Sequence, residues 1–302
     1  MALARHPSGP TQVAVNRLQT YFSFVRFSHT VFALPFALTG ALLALHRAPL
    51  TMGETAIRVG WILVAMVAAR SAAMGFNRLV DASYDALNPR TAMREIPRGA
   101  MNRVEAAIFV TVAAALFMFA AWKLGPLCFW LSPVALAIVF WYSLAKRFTS
   151  YTQAFLALAM AVAPVGGWLA AGGPIGAAEP WLLGAAIGTW VGGFDILYAC
   201  QDLDFDRAHG LRSIPVRFGV RRSLALSRVM HVIAVVCLAA LAAVAKLGGL
   251  YLVGVAVVAV LLAYEQSLVS EHDLSQVKRA FDLNGYVGIL YFVSTAASIY
   301  VR

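Results

Sequence analysis

Long apolar runs, separated by short polar segments, account for most of this chain. Nine of them are long enough to cross about 30 Å of hydrocarbon as helices. They lie near residues 25–45, 56–76, 105–122, 127–144, 152–171, 181–201, 224–245, 250–268 and 281–300. The pattern predicts an all-α polytopic membrane protein, built as a bundle of nine transmembrane helices.

The composition agrees with a membrane location. Hydrophobic residues make up 61% of the 302 positions and charged residues 13%, so polar surface is too scarce for a water-soluble fold. The formal net charge of +10 would suggest nucleic-acid binding in a soluble protein. In a membrane protein it reflects basic cytoplasmic loops, so we expect no nucleic-acid partner. The N-terminal stretch is polar and basic without an apolar core, and we expect no cleaved signal peptide.

Lysine and arginine are unevenly divided between alternate loops. Seventeen of the 24 lie on the side of the N-terminus, four on the opposite side and three within predicted helices. Basic loops remain cytoplasmic, so we expect a cytoplasmic N-terminus and an external C-terminus. Two long cytoplasmic loops, about 77–104 and 202–223, follow the second and sixth helices. This repetition suggests two related helical halves.

Acidic residues are scarce, and six of the 14 lie in or beside two short motifs at cytoplasmic helix ends. Asn77, Asp81 and Asp85 are spaced by four after the second helix, as are Asp202 and Asp206 after the sixth. Residues four apart share one face of a helix, so each pair of carboxylates points the same way. Mg²⁺ is often held by one or two carboxylates together with substrate phosphates. The motifs therefore predict a divalent-metal site at the membrane surface.

Basic side chains on the same side complete a candidate diphosphate site. Arginine pairs with phosphate oxygens through its planar fork, and lysine acts as a point charge. The candidates are Arg90, Arg94, Lys146, Arg147 and Arg212. Together with a metal ion they would stabilise a departing diphosphate. If the other end of the substrate is a long isoprenoid, its tail can lie in membrane lipid or between helices.

An ionisable residue deeper in the membrane indicates where an acceptor reacts. Asp195 precedes Asp202 by roughly two helical turns, and a carboxylate at that depth is a functional-site hypothesis by default. We expect it to orient or deprotonate a phenolic acceptor beside an allylic cation, which aromatic ring faces would stabilise. Further candidates for acceptor binding are Arg26, His29, Arg70 and Tyr198.

Two other classes of membrane protein share some of these features. A transporter would use intramembrane charges along a pathway, whereas here only Asp195 lies at depth and the other motif carboxylates lie on one side. A lipid head-group transferase of the CDP-alcohol type resembles an Asp-Gly-x2-Ala-Arg run, which this sequence lacks.

The motifs resemble those of the UbiA superfamily of intramembrane prenyltransferases. That family carries Asn-x3-Asp-x3-Asp after its second helix and Asp-x3-Asp after its sixth. The matching residues are Asn77, Asp81, Asp85, Asp202 and Asp206. The loop after the first motif and the basic pair after the fourth helix are also similar, through Arg90, Thr91, Arg94, Pro97, Gly99, Lys146 and Arg147. The runs 27–36 and 209–219 resemble a bacterial branch described as 4-hydroxybenzoate polyprenyltransferase-like, which includes naphthoate prenyltransferases of menaquinone synthesis.

The resemblance implies a single domain over residues 1–302, with residues 1–22 as a polar cytoplasmic N-terminus. It implies Mg²⁺-dependent transfer of a polyprenyl group from prenyl diphosphate to an aromatic hydroxy acid of the 4-hydroxybenzoate type, in quinone biosynthesis. Asp195, Asp81 and Asp202 would be catalytic, with Asp81, Asp85, Asp202 and Asp206 holding the metal and Asn77 among the diphosphate-binding residues. The similarity to a bacterial branch also implies a bacterial-type inner membrane. A dihydroxynaphthoate acceptor for menaquinone synthesis remains an alternative.

Overall fold

Long helices make up nearly the whole structure. The computed structural model describes residues 17, 19–25 and 27–301, without the side chains of residues 27–33. Within these residues there are nine long helices and no strand, which confirms the all-α class. The helices are α1 Phe27–Arg47, α2 Met52–Leu87, α3 Arg103–Leu124, α4 Pro126–Ala145, α5 Thr152–Ala170, α6 Glu179–Ala199, α7 Ile214–Val244, α8 Gly249–Ser267 and α9 Val277–Tyr300. A 3₁₀ turn, Cys200–Asp202, and a short helix, Leu203–Ala208, follow α6.

The helices of this chain form a multi-pass membrane protein. Seven of the helices in the described residues, α2 to α8, are long and apolar enough to cross a membrane, so the predicted count of nine crossings is not confirmed. Large apolar side chains such as Val112, Trp130 and Val236 are more than half exposed. In a bilayer these outward side chains face lipid rather than water.

Two predicted loops are shorter than the sequence pattern indicated. The prediction of a loop starting at residue 77 was wrong, because α2 continues through the first motif to Leu87 and leaves a loop over residues 88–102. The loop predicted at 202–223 was also wrong in part, since α7 begins at Ile214. The Ser213 side chain accepts a hydrogen bond from the Val216 amide, and Pro215 occupies the first turn, where its missing N–H has no cost. Polarity marked these stretches as loops although their polar side chains have protein partners.

Glycine allows α1 and α5 to touch backbone to backbone. A Cβ atom added at Gly40 would lie 2.0 Å from the Pro164 carbonyl oxygen, and one at Gly167 would lie 2.0 Å from that of Ala37. Small residues permit this approach between membrane helices, where packing drives association. Helix α5 packs in turn on α6, and α6 on α7.

Helix α6 occupies the centre of the bundle. In its membrane window 67% of the residues are buried, against 17–33% in the other six candidate spans. Trp190 of α6 donates from Nε1 to Oδ1 of Asn284 in α9 over 2.6 Å. Buried polar groups in a bilayer need such internal partners, and this bond fixes α6 against α9. The helix that carries Asp195 is therefore held from several sides.

Candidate functional site

The last turns of α2 present the first motif towards the protein interior. The Asn77 side-chain amide donates to Oδ2 of Asp81 over 3.3 Å, as their shared helix face requires. Asp81 is 3% exposed and Asp85 6%, so neither belongs to a solvated helix end. Buried carboxylates need partners, which the neighbouring elements supply.

The basic pair at the end of α4 reaches Asp81. Lys146 Nζ lies 2.8 Å from Oδ2 and Arg147 Nη2 lies 3.3 Å from Oδ1. Arg147 also donates to the main-chain carbonyl of Val80. The Tyr84 ring lies beneath both cations, with its centre 5.9 Å from the ammonium and 5.5 Å from the guanidinium carbon. The lysine and arginine predicted to bind diphosphate thus lie against the first motif.

The loop over residues 88–102 folds back onto Asp85. Arg94 Nη1 donates to both carboxylate oxygens, each over 2.8 Å. The Thr91 hydroxyl donates to the main-chain carbonyl of Asp85 over 3.1 Å. The loop arginine and the second aspartate of the motif therefore form one unit.

Arg90 connects this loop to the second motif. Its Nη2 donates to Asp202 Oδ2 and its Nη1 to the Tyr198 hydroxyl, both over 2.7 Å. The guanidinium carbon lies 5.4 Å from the centre of the Tyr198 ring. The two motifs, far apart in sequence, consequently face one another across a single site.

The second motif does not continue α6 as one α-helix. The 3₁₀ turn intervenes between Asp195 and the short helix, so the expected register along an unbroken helix is altered. Asp206 nevertheless interacts electrostatically with Asp202, Lys146 and Arg90.

Arg212 contributes to the wall of the site through hydrogen bonds to two main-chain carbonyls. Its guanidinium donates to the Phe148 carbonyl over 2.7 Å, and its amide donates to the Lys146 carbonyl over 2.9 Å. Both bonds join the loop after the short helix to the end of α4, directly beside the basic pair. Arg212 thus supports the position of Lys146 and Arg147.

Arg70, Tyr142 and Asp195 line the site on its membrane side. Each is neither fully buried nor fully exposed. Tyr142 interacts electrostatically with Arg70, Asp195 and Asp81, and Asp195 interacts with Asp202. The carboxylate expected near an acceptor and the arginine expected to bind one therefore both interact with Tyr142, on the membrane side of the motifs.

Two predicted acceptor residues cannot be placed. Arg26 lies outside the described residues, and only the backbone of His29 is described, as part of α1.

Three arginines of the site each have a buried N–H donor that makes no hydrogen bond in the described part of the chain. Within the described residues, the Nε atoms of Arg70, Arg94 and Arg147 are buried and have no hydrogen-bond partner. A buried unsatisfied donor costs about 1–3 kcal/mol, so such atoms are few in folded proteins. A bound anion that accepted these hydrogen bonds would recover that free energy.

The donor set suits a metal held jointly with a substrate. In the part of the chain that is described, no group of three or more His, Cys, Asp and Glu side chains converges on one point. Asp81 and Asp85 form one pair of hard oxygen donors and Asp202 and Asp206 another, facing the basic residues. Mg²⁺ bound by one or two carboxylates and by phosphate oxygens requires no larger protein cage. The residues present fit this kind of ion.

Sequence reasoning missed several residues of the site. Tyr142 precedes Lys146 by four residues and so shares its helix face, a signal that was available in the sequence. Tyr84 lies one position before Asp85 and gave no signal, since a tyrosine in an apolar helix usually packs. Arg78 and Glu95 form a buried ion pair of 3.0 Å, which no spacing rule connects.

A model of the UbiA prenyltransferase family matches residues 33–294. The chain belongs to this family. Membership makes it a membrane prenyltransferase and gives the transporter alternative no support.

Relatives and solved structures agree with the family. The 4-hydroxybenzoate octaprenyltransferase of Edwardsiella ictaluri is 31% identical over 230 residues, which cover 74% of this prenyltransferase and 77% of that protein. The apo structure of a UbiA homolog from Aeropyrum pernix has a TM-score of 0.81 at 35% identity, covering 89% of this chain and 98% of that one. A UbiA homolog from Archaeoglobus fulgidus bound to DMAPP and Mg²⁺ has a TM-score of 0.68 at 20% identity, covering 94% and 100%. The last likeness shows the fold alone.

Proposed function

We propose that this prenyltransferase transfers a polyprenyl group from a prenyl diphosphate to an aromatic hydroxy acid of the 4-hydroxybenzoate type. The observation that carries the proposal is the set of buried, unpartnered Nε donors on Arg70, Arg94 and Arg147. Arg94 and Arg147 lie beside the acidic motifs, and Arg70 lies on the membrane side of them. This division suits a diphosphate beside the motifs and an acceptor carboxylate deeper in the membrane.

Diphosphate binding would exchange ion-pair partners within the site. Lys146, Arg147, Arg94 and Arg90 are each paired with a motif aspartate. When phosphate oxygens accept hydrogen bonds from these basic side chains, the carboxylates become free to bind a metal ion. Mg²⁺ bound there supplies positive charge that stabilises the departing diphosphate. The chain's own cations add to that stabilisation.

Arg70 and Asp195 would then position the acceptor. Arg70 binds its carboxylate, and Asp195 orients its phenolic hydroxyl and accepts the proton lost during alkylation. The bond between the prenyl C1 carbon and the diphosphate oxygen breaks, and a bond from C1 to a ring carbon forms. The Tyr142 ring between these residues suits a cation at C1, because ring faces attract positive charge.

The relatives support the choice of substrates without identifying them here. The Edwardsiella ictaluri protein is named for 4-hydroxybenzoate and an octaprenyl group, and a protein of the same fold has been solved with DMAPP and Mg²⁺. A dihydroxynaphthoate also has a hydroxyl and a carboxylate, so the Arg70 and Asp195 arrangement suits it as well. We infer that a carboxylated phenol is the acceptor class.

We place the N-terminus and both motifs on the cytoplasmic side of a bacterial-type inner membrane, within one domain over residues 1–302. The support is the distribution of lysine and arginine, which favours the side that carries the site. The diphosphate end of a membrane-borne substrate would then lie at the cytoplasmic surface, and Mg²⁺ would reach the site from the cytoplasm.

A product assay with paired acceptors tests the function. Purified protein in lipid nanodiscs receives a polyprenyl diphosphate and, in separate reactions, 4-hydroxybenzoate, a dihydroxynaphthoate, phenol and the matching dihydroxynaphthalene. We expect a prenylated product with a carboxylated acceptor, little with its uncarboxylated counterpart, and none with EDTA. Absence of product from both carboxylated acceptors, or equal turnover of the uncarboxylated ones, contradicts the proposal.

A further inference from the structure

A second buried carboxylate lies beside the site but outside the metal motifs. Glu95 belongs to the loop over residues 88–102 and is 4% exposed, as is Arg78 of α2. Arg78 Nη1 donates to Glu95 Oε2 over 3.0 Å, and the Ser23 hydroxyl donates to Oε1 over 2.5 Å. One carboxylate therefore joins α2, the loop and the segment preceding α1.

The surroundings of Glu95 are apolar. Phe24, Val25, Met101 and Ala106 form a buried cluster against which Ile96 packs. Desolvating two charges in such surroundings costs several kcal/mol, and apolar replacements of buried ion pairs are often as stable. Stability alone thus explains this ion pair poorly, whereas a role in fixing geometry explains it well.

Glu95 is also fixed through its main chain, directly beside Arg94. Its carbonyl accepts from the amides of Ala100 and Met101 over 2.9 and 3.1 Å. The Arg94 amide donates to the Thr91 carbonyl over 2.9 Å. With the side chain and main chain of Glu95 both held, the path of the backbone at Arg94 is set. The Arg94 guanidinium can then reach Asp85 while its Nε remains free for a ligand.

We propose that Glu95, held by Arg78 and Ser23, is a positioning residue that places Arg94 for diphosphate binding. The inference rests on the proposed function, since it takes Arg94 as a diphosphate contact. Glu95 itself does not touch the reacting atoms. The segment preceding α1 acts on the site through this carboxylate, which makes it part of the substrate-binding unit.

Pyrophosphate binding tests this role without turnover. Titration calorimetry with Mg²⁺ and inorganic pyrophosphate compares wild-type protein, Glu95→Gln and Glu105→Gln in nanodiscs. Glu105 is the matched control, because it binds Arg17 and Tyr21 of the same segment, each over 2.7 Å, but lies on α3. We expect affinity to fall at least about tenfold in Glu95→Gln and to stay within about twofold in Glu105→Gln. The KM for prenyl diphosphate should rise in parallel, with the KM for the acceptor unchanged.

A double-mutant cycle separates positioning from general stability. If Glu95 acts through Arg94, Glu95→Gln should weaken pyrophosphate binding by less than about twofold in an Arg94→Ala background. Fully additive losses overturn the inference, as does wild-type affinity in Glu95→Gln. If Glu95→Gln does not fold, Ser23→Ala keeps the ion pair and should weaken binding about threefold, and an unchanged affinity there also overturns it. Wild-type protein that binds no pyrophosphate with Mg²⁺ would instead contradict the proposed function itself.

Discussion

At the scale of single residues, three of the four motif aspartates form ion pairs with basic side chains. Asp81 faces Lys146 and Arg147, and Asp85 faces Arg94. Each side of every pair is suited to one part of a metal–diphosphate complex, the carboxylates to the ion and the cations to the phosphates. The contacts that stabilise the site therefore also hold in place the groups that a metal ion and a diphosphate need.

Replacing Asp81 should abolish most of the activity. Asp81→Asn keeps the size of the side chain but removes the charge that pairs with Lys146 and Arg147. We expect kcat to fall at least about a hundredfold, the scale of losing one strong electrostatic contact at a leaving group. Asp204→Asn is the control, because Asp204 is an exposed neighbour in the second motif. Comparable activity in the two variants, with both correctly folded, would remove Asp81 from the metal site.

Replacing Arg70 should affect the acceptor alone. Arg70→Met retains much of the volume but loses the buried guanidinium, so the KM for a carboxylated phenol should rise at least about tenfold. The KM for prenyl diphosphate should not change. Arg58→Met serves as control, since Arg58 lies on the same helix but donates to the Ala170 carbonyl, outside the site. A rise in KM for prenyl diphosphate instead of the acceptor would contradict the assignment.

At the scale of helices, the site depends on how closely α1, α5 and α6 pack. The backbone contact at Gly40 and Gly167 brings α1 onto α5, and α5 supports the central α6. Interiors this closely packed cannot absorb an extra methyl group without displacement. The position of Asp195 is therefore linked to a contact well away from the motifs.

Two adjacent glycines on α5 provide a matched test. Gly167→Ala adds a methyl group that meets the Ala37 carbonyl, and overpacking of this kind costs about 1–3 kcal/mol. Gly166→Ala meets nothing within 4 Å, so its better helix propensity should leave stability unchanged or raise it by up to about 1 kcal/mol. Thermal unfolding in one detergent measures both. Equal midpoints for the two variants would show that the α1–α5 contact adapts freely.

The sequence predicted the helices well and their polar ends less well. Apolar run length located all nine helices, since hydrocarbon thickness sets it. The apolar pattern ended α2 too early, because the motif residues are polar. They are nevertheless buried, in ion pairs with partners such as Lys146 and Arg94. Helix spacing gathered Asn77, Asp81 and Asp85 onto one face. Contacts between distant segments, such as Arg90 with Asp202 or Glu95 with Arg78, depend on tertiary packing and leave no local pattern.

At the scale of the whole molecule, binding of metal and diphosphate should be coupled. Mg²⁺ alone must displace the lysine and arginine side chains from the aspartates, whereas a diphosphate attracts those side chains to itself. We expect Mg²⁺ to bind at least about tenfold more tightly with inorganic pyrophosphate present, with reciprocal strengthening of pyrophosphate binding. Calorimetric titrations in both orders measure the coupling. Equal Mg²⁺ affinities with and without pyrophosphate would show that the ion pairs do not compete with the metal.

The central claim is that the two motifs form one site for prenyl transfer to a carboxylated phenol. The most direct measurement follows diphosphate release and prenylated product together, from purified wild-type protein in nanodiscs with a polyprenyl diphosphate and the acceptor. We expect diphosphate and prenylated acceptor in equal molar amounts, and neither of them when Mg²⁺ or the acceptor is omitted. Diphosphate release without prenylated acceptor, or no release under any of these conditions, would contradict it.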